Sequence, residues 1–426
     1  MAVTVTFVSK VFSVVLLIIV LLETIVALRT IQTELNPGCD DTKEDCAGGV
    51  AYIKAIGDQN TFHYILTAIG PPTVLVIKTE KTTKDAGISI NWDNFKSGNI
   101  TEMENSIKLD PSYKILYSYG VVFTRLFQYN DTTDVAELGK LNLNKTAFRV
   151  FDFSRSMFEW FDLKAISSDS AIKLRVKNSS AVMGQTINNG SLEFKFMFFD
   201  HMDRATDLPH LQYTEDTSQF DFKLMNINTG NMSLSRFALE TVLFSTDPAD
   251  RDMKFDETKS IDDEYTPGVF TISNWLTRPE KEEQGGYLQH KPVCYTKAYR
   301  ERAVGTYVRG YGLTKVTDVQ YLLNQSAVLA YFGSENMAKL RISSTNFSFG
   351  LSEDGTFTKT NYTVWTGSLG YGKPPMDAVS SLVVVVISVG LGIPVVLIIF
   401  GGIFVCLKKK SDPLLVDVSK NAMSVN

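Results

Sequence analysis

Apolar side chains recur at every second position through most of this chain. Leu192, Phe194, Phe196 and Phe198 form one stripe, interleaved with Glu193 and Lys195 and preceded by the turn pair Asn189-Gly190. Ile88, Ile90 and Trp92 form a second, and Phe220, Phe222 and Leu224 a third. Phe347, Phe349 and Leu351 form a fourth, followed by the turn Glu353-Asp354-Gly355 and then Phe357. A period of two places these residues on one face of a strand and their polar neighbours on the other. Continuous apolar runs, Val74–Ile77 and Gly120–Phe123, predict central strands. Helical periodicity is scarce, with one short candidate at Asp134–Lys140. The pattern predicts an all-β region of antiparallel sheets packed face to face. Its size suggests two sandwich-like units, with a boundary near 250–263, a charged stretch poor in strand formers.

Two segments break this pattern. Val11–Leu22 is an unbroken apolar run after Lys10 and before Glu23. Twelve residues span about 18 Å as a helix, short of the roughly 30 Å hydrocarbon core of a bilayer. A basic start, a short apolar core and Ala27 near its end read as a signal peptide over residues 1–28. The rival reading is an uncleaved anchor that carries Glu23 in the bilayer. Residues 378–407 contain no formal charge and are long enough for a tilted transmembrane helix. Lys408, Lys409 and Lys410 follow at once, which puts the tail 408–426 in the cytosol. Residues 29–377 then form a body on the lumenal side.

Charge and sequons sharpen this picture. The chain has 426 residues and a net charge of −5. The tail contributes +2 and Lys10 cancels Glu23, which leaves −7 on the body. An acidic body argues against a nucleic-acid partner, which needs a basic excess. Nine N-x-S/T sequons begin at Asn99, Asn130, Asn144, Asn178, Asn189, Asn231, Asn324, Asn346 and Asn361, all of them in the body. So many sequons behind a signal sequence predict a secreted-pathway body with a dense glycan coat. Strand parity sets Asn346 and Ser348 opposite Phe347 and Phe349, and Asn361 opposite Tyr362, with the aromatics inward.

Four cysteines are too few for a disulfide scaffold. Cys39 and Cys46, seven positions apart in a loop-like stretch, predict a local disulfide, with Cys294 free and buried. A zinc site is the alternative there, but no histidine lies nearby. No nucleophile elbow, H-E-x-x-H motif or phosphate loop occurs. Asp262, Asp263 and Glu264 could serve a hydrolase through paired carboxylates. Three consecutive side chains alternate between the faces of a strand, however, so an acidic turn is the preferred reading. No catalytic residue, cofactor or metal site is assigned.

Several segments in order resemble the glycosylated lysosomal membrane protein family. They are His63-Tyr64 with Gly70-Pro71, the stretch Ser89–Trp92, Val122–Leu126 and Ser260–Tyr265, then Lys291–Val293 with Tyr295, Phe332–Ser334, Pro374–Asp377 and the terminal Ser424–Asn426. The resemblance implies a non-enzymatic lysosomal glycoprotein. It further implies an accessory subunit for a major-facilitator transporter of the dipeptide uniporter type, shielding that partner from lumenal proteases. Ser388 and Gly392, at small-xxx-small spacing in the span, would let a partner helix approach closely. The bland alternative is that the span's glycines and Pro394 merely kink a lone helix. A ligand-binding receptor ectodomain and a lumenal hydrolase are the competing functions, and a homodimer of the body stays open. The tail departs from the family pattern, with Ala422 where a sorting tyrosine is expected, so Leu414 and Leu415 are expected to direct sorting instead. Replacing both leucines with alanine is expected to move the protein to the cell surface. Unchanged lysosomal staining would count against that role.

Overall fold

The computed structural model describes residues 29–39, 49–82, 87–142, 146–153, 158–162, 171–177, 190–261, 269–281, 284–316, 326–376 and 381–411. One compact unit holds the body up to Ser260 and from Phe270 to Met376. The C-terminal helix Ser381–Ser411 belongs to a second unit.

The body is built on two antiparallel sheets. The first begins as a meander of Thr30–Leu35, Val50–Ile56, Asn60–Thr67 and Thr73–Glu80. It continues through the long strand Ile115–Asn130 to Ser235–Ser245 and Arg341–Phe349. The second sheet runs from Phe158–Phe161 through Ala171–Val176, Ser191–Phe198 and Thr217–Met225 to Tyr362–Tyr371. Gly286–His290 and Val269–Leu276 extend it. The strand Gly305–Gly310 pairs with Val293–Tyr295 of the second sheet and with Arg341–Phe349 of the first, joining them at one side. The segment 250–263 does not divide the body. Strands before it, Thr217–Met225 and Ser235–Ser245, pair directly with strands after it.

Aromatic stripes from the two sheets meet between them. The ring of Phe123 in the first sheet lies 4.7 Å from Phe194 and 5.1 Å from Phe220 in the second. Tyr64 meets Phe198 at 5.0 Å, and Phe347 meets Trp365 at 4.4 Å. Edge-on and tilted pairs at such distances add to the stabilisation from area burial. The first sheet is covered on its other face as well. The helix Ala327–Met337, the short helices Trp92–Lys96 and Ile100–Met103, and the hairpin Ile88–Ile90 with Ile107–Leu109 pack there around Ile65, Leu75, Ile77, Val122 and Phe244. Burial on two faces explains why Val74–Ile77 and Val121–Phe123 read as unbroken apolar runs. At Gly120 the chain has no room for a side chain, since a Cβ would come within 2.6 Å of the Phe244 ring.

Several local expectations fail for identifiable reasons. Ile88–Ile90 is a strand, but Trp92 opens a helix because the Asn91 side chain caps it, accepting from Asn94 N. Only Leu138–Lys140 of the expected helix 134–140 is helical, as a 3-10 turn, because Asp134 and Ala136 adopt φ of 51° and 54°. Leu351 is 46% exposed because Gly350, at φ 111°, ends the strand that buries Phe347 and Phe349. Ser348 is buried too, under the Tyr311 hydroxyl at 3.1 Å. Phe357 lies in the helix Thr356–Thr360, which starts after Gly355 in the left-handed region.

Arg236, fully buried on the strand Ser235–Ser245, ties three chain segments together. Its Nε donates to Asp131 at 2.9 Å, Nη1 to Asp354 at 2.9 Å and Nη2 to Asp134 at 2.6 Å. Nη2 also donates to the Leu351 carbonyl at 2.7 Å. The carboxylates are held in turn by backbone N–H groups, of Val135 and Ala136 on Asp131 and of Leu351 on Asp354. Removing the cation leaves buried carboxylates unpaired, so Arg236→Met is expected to cost about 3–5 kcal/mol of unfolding free energy. Chemical unfolding of the purified protein checks this, with Lys114→Met, which breaks an exposed pair with Glu80, as the control that changes stability little.

Candidate functional site: the sequon-bearing surface and the membrane span

Among the described residues, five of the nine sequon asparagines can be placed. Asn99 is the exposed cap of the helix Ile100–Met103, its Oδ1 accepting from Thr101 N at 3.0 Å. Asn231 is exposed in the turn before Ser235–Ser245, and Asn361 is exposed at φ 51°, where the helix Thr356–Thr360 ends. Asn130 is half-buried at the end of the long strand, with Oδ1 accepting from Leu234 N at 2.9 Å. Asn346 stands mid-strand opposite Glu240, half-buried, with its Oδ1 buried and unpartnered. Asn144, Asn178, Asn189 and Asn324 lie outside the described residues. Tyr362 does not enter the core as parity suggested. Asn361 is not in the strand, so the parity starts one residue later, and Thr363, Trp365 and Leu369 are the inward residues.

Cys39 is disulfide-bonded, which removes its thiolate from zinc chemistry. Cys46 lies outside the described residues. Cys294 is a free thiol in the core, and burial pushes its pKa up, so it is unreactive there. The acidic run Asp262, Asp263 and Glu264 and the tail leucines Leu414 and Leu415 also lie outside the described residues, as do residues 1–28.

The sequence reading missed two buried histidines that bear on an acidic compartment. His63 Nδ1 lies 2.7 Å from the Tyr52 hydroxyl and Nε2 lies 3.0 Å from Thr79 Oγ1. Burial, and then the nearby Lys54 ammonium, lower its pKa to about 3. His290 Nδ1 lies 2.9 Å from the Lys291 carbonyl and 3.2 Å from the Trp365 indole Nε1, and its Nε2 is buried without a hydrogen-bond partner among Trp275, Phe347 and Trp365. Burial lowers this pKa to about 4, against a smaller opposing effect of the Lys291 hydrogen bond. A signal was available: His63 sits within the apolar run Phe62–Leu66.

The C-terminal helix contains one apolar stretch, Val385–Leu407, of 23 residues. At 1.5 Å per residue it reaches about 35 Å, enough to cross a bilayer core. It runs through Pro394 as one helix. Ser388 and Gly392 are four apart and share a face, and a Cβ built at Gly392 meets nothing within 4 Å.

A β-sandwich body and, among the described residues, one helix long and apolar enough to cross a bilayer mark the class of membrane-anchored proteins. The family described as glycosylated lysosomal membrane protein matches residues 49–412. The protein of that name from Danio rerio is 31% identical over 387 residues, covering 90% of each chain. Those from Bos taurus and Homo sapiens are 30% identical over 374 residues and 29% over 370, covering 86% and 84% of each chain. The chain belongs to the glycosylated lysosomal membrane protein family, whose members are named as membrane glycoproteins and not as enzymes.

In the lysosomal lumen the two histidines make stability depend on pH with a definite sign. Each has a folded pKa below its unfolded value of about 6.5, so below that pH the unfolded chain binds protons that the folded chain refuses. Their contribution is intact above pH 6.5 and is lost as pH falls towards 3–4. Between pH 6.5 and 5 each is expected to remove about 2 kcal/mol. His63→Gln and His290→Gln are each expected to flatten the fall in urea-unfolding free energy between pH 7 and 5. An unaltered slope would show that these rings titrate alike in both states.

Proposed function

We propose that this protein is a non-catalytic accessory subunit that protects a major-facilitator transporter of the lysosomal membrane, of the dipeptide uniporter type. Family membership supports the compartment and the glycoprotein character. The observation that carries the subunit role is the span. Gly392 and Ser388 put small residues one turn apart, and in a membrane such spacing lets a second helix approach closely. The body complements it, since Asn99, Asn231 and Asn361 present their sequons at exposed positions from which sugars would screen neighbouring loops. Cleavage of residues 1–28 and sorting through Leu414 and Leu415 belong to the same reading.

Affinity purification of the full-length protein from lysosomal membranes in mild detergent tests it. A multi-span transporter in stoichiometric amount is the expected result, and Gly392→Leu is expected to lower its recovery at least several-fold. Replacing the sequon asparagines with glutamine is expected to shorten the partner's lifetime in cells. Purification without any multi-span protein sinks the proposal.

A further inference from the structure

The outer face of the second sheet carries a groove that the accessory role does not use. Residues 206–210 and 298–300 stand over the strands and enclose about 710 Å³. Two rows of charged side chains run across the sheet there, one of them only partly within the groove. In one row Glu159, Arg175, Glu193 and Lys223 face each other in register with alternating sign. Arg175 pairs with Glu159 at 2.9 Å, and Lys223 pairs closely with Glu193. The neighbouring row breaks the alternation. Lys173 stands directly opposite Lys195, and Lys195 opposite Asp221.

The available carboxylates in that row are already taken. Lys173 pairs with Asp162 at 2.5 Å. Asp221 accepts from Arg300 at 2.6 Å and from the Thr366 hydroxyl at 2.5 Å. Among the described residues Lys195 has no ion-pair partner, although it is half-buried in the groove floor. Like charges directly opposite in an antiparallel pair are destabilising, and an anion placed between them would offset that cost. Of the four cations in the groove lining, Lys173, Lys223 and Arg300 are paired with Asp162, Glu193 and Asp221, which leaves Lys195 as the one without an ion-pair partner among the described residues. Phe161, Tyr299 and Tyr362 supply flat apolar surface beside these charges. Tyr299 is 55% exposed, and its hydroxyl accepts from Lys297 Nζ at 2.7 Å. A few convergent polar groups beside aromatic faces make a ligand site of ordinary size.

We propose that this groove binds an acidic saccharide, with the sugar's carboxylate on Lys195 Nζ and the C–H face of its ring against Tyr299. The same chemistry could arrive on a free sugar or on a sugar attached at Asn361, one residue before Tyr362. The test uses the full-length protein in detergent, with and without sialidase treatment, titrated with N-acetylneuraminic acid and with neutral N-acetylmannosamine. The acid is expected to bind at least tenfold more tightly than the neutral sugar, and less tightly as salt rises. Lys195→Gln and Tyr299→Ala are each expected to weaken it tenfold or more. Binding that emerges only after sialidase treatment assigns the groove to the protein's own glycan, and binding in both preparations assigns it to a free ligand. Lys195→Gln is also expected to keep or raise the melting temperature, since it removes a repulsion. No preference for the acid in either preparation, full affinity in Lys195→Gln, or a lowered melting temperature of that variant would each overturn the proposal.

Discussion

The constraint on which the rest of the structure depends is that the first sheet is buried on both faces. Its strands carry apolar side chains towards the second sheet and towards the helical cover at once. Where both faces are covered no polar face remains on which a side chain can be solvated cheaply, and the charges carried there by Ser235–Ser245 are paired. Glu240, on Ser235–Ser245, takes two bonds from Arg125 at 2.6 Å each and one from the Thr124 hydroxyl at 2.5 Å. Arg236, four residues before it, takes three carboxylates. Unpaired, either charge would cost several kcal/mol in such surroundings. The exposed sequons Asn99, Asn231 and Asn361 accordingly lie at helix caps and turns, off the strands of this sheet.

Burial also sets how the fold meets an acidic lumen. His63 lies in the first sheet and His290 at the end of a second-sheet strand, and both stay neutral because the packing around them offers no place for a charge. Their neutrality keeps positive charge out of the core and costs stability as the surroundings acidify. The Arg236 cluster acts in the same direction, since a protonated carboxylate no longer pairs with the guanidinium. Backbone N–H groups and Arg236 hold Asp134 below its ordinary range, which moves that loss to lower pH. The pH response of this body is therefore set in large part by His63, His290 and the carboxylates around Arg236.

What could be read from the chain alone follows the same division. The second sheet was legible because only its inner face is apolar. Its stripes Leu192–Phe198 and Phe220–Leu224 alternate, and alternation names the strand and its buried side together. The bilayer-length segment was equally plain, since an uncharged run of that length suits a membrane span and little else. The helix Ala327–Met337 was not legible. Ala327, Val328, Leu329 and Ala330 are all fully buried, so the segment is apolar all round and has no periodicity by which to recognise it. The residues Asp134 and Gly350 misled for a different reason. Both lie against Arg236, which the chain supplies about a hundred residues away, so the contact is not visible in any local pattern. The groove around Lys195 was present in the sequence only as a lysine in an alternating strand. Its meaning depends on the register that sets Lys173 beside it.

The segments that carry the family resemblance can now be given physical roles. Tyr64 and His63 sit in the core, and Trp92 donates from Nε1 to the Pro37 carbonyl at 3.0 Å, tying the cover to the first sheet's edge loop. Arg125 neutralises Glu240, and Lys291 is buried with Nζ donating to the Pro209 carbonyl at 3.1 Å. Gly333 adopts φ 69° where the helix kinks against Asn105. Arg125 and His63 brace neighbouring strands of the first sheet, Trp92 and Gly333 seat its helical cover, and Tyr64 packs against Phe198 of the second sheet. Likeness at such positions transmits the architecture, and with it the span and the compartment. It says less about which molecule the surfaces recognise, because Tyr64, His63 and Lys291 are packed inside the body. Recognition must be argued from the exposed rows of the second sheet and from the small residues of the membrane helix, where packing leaves the choice of side chain free.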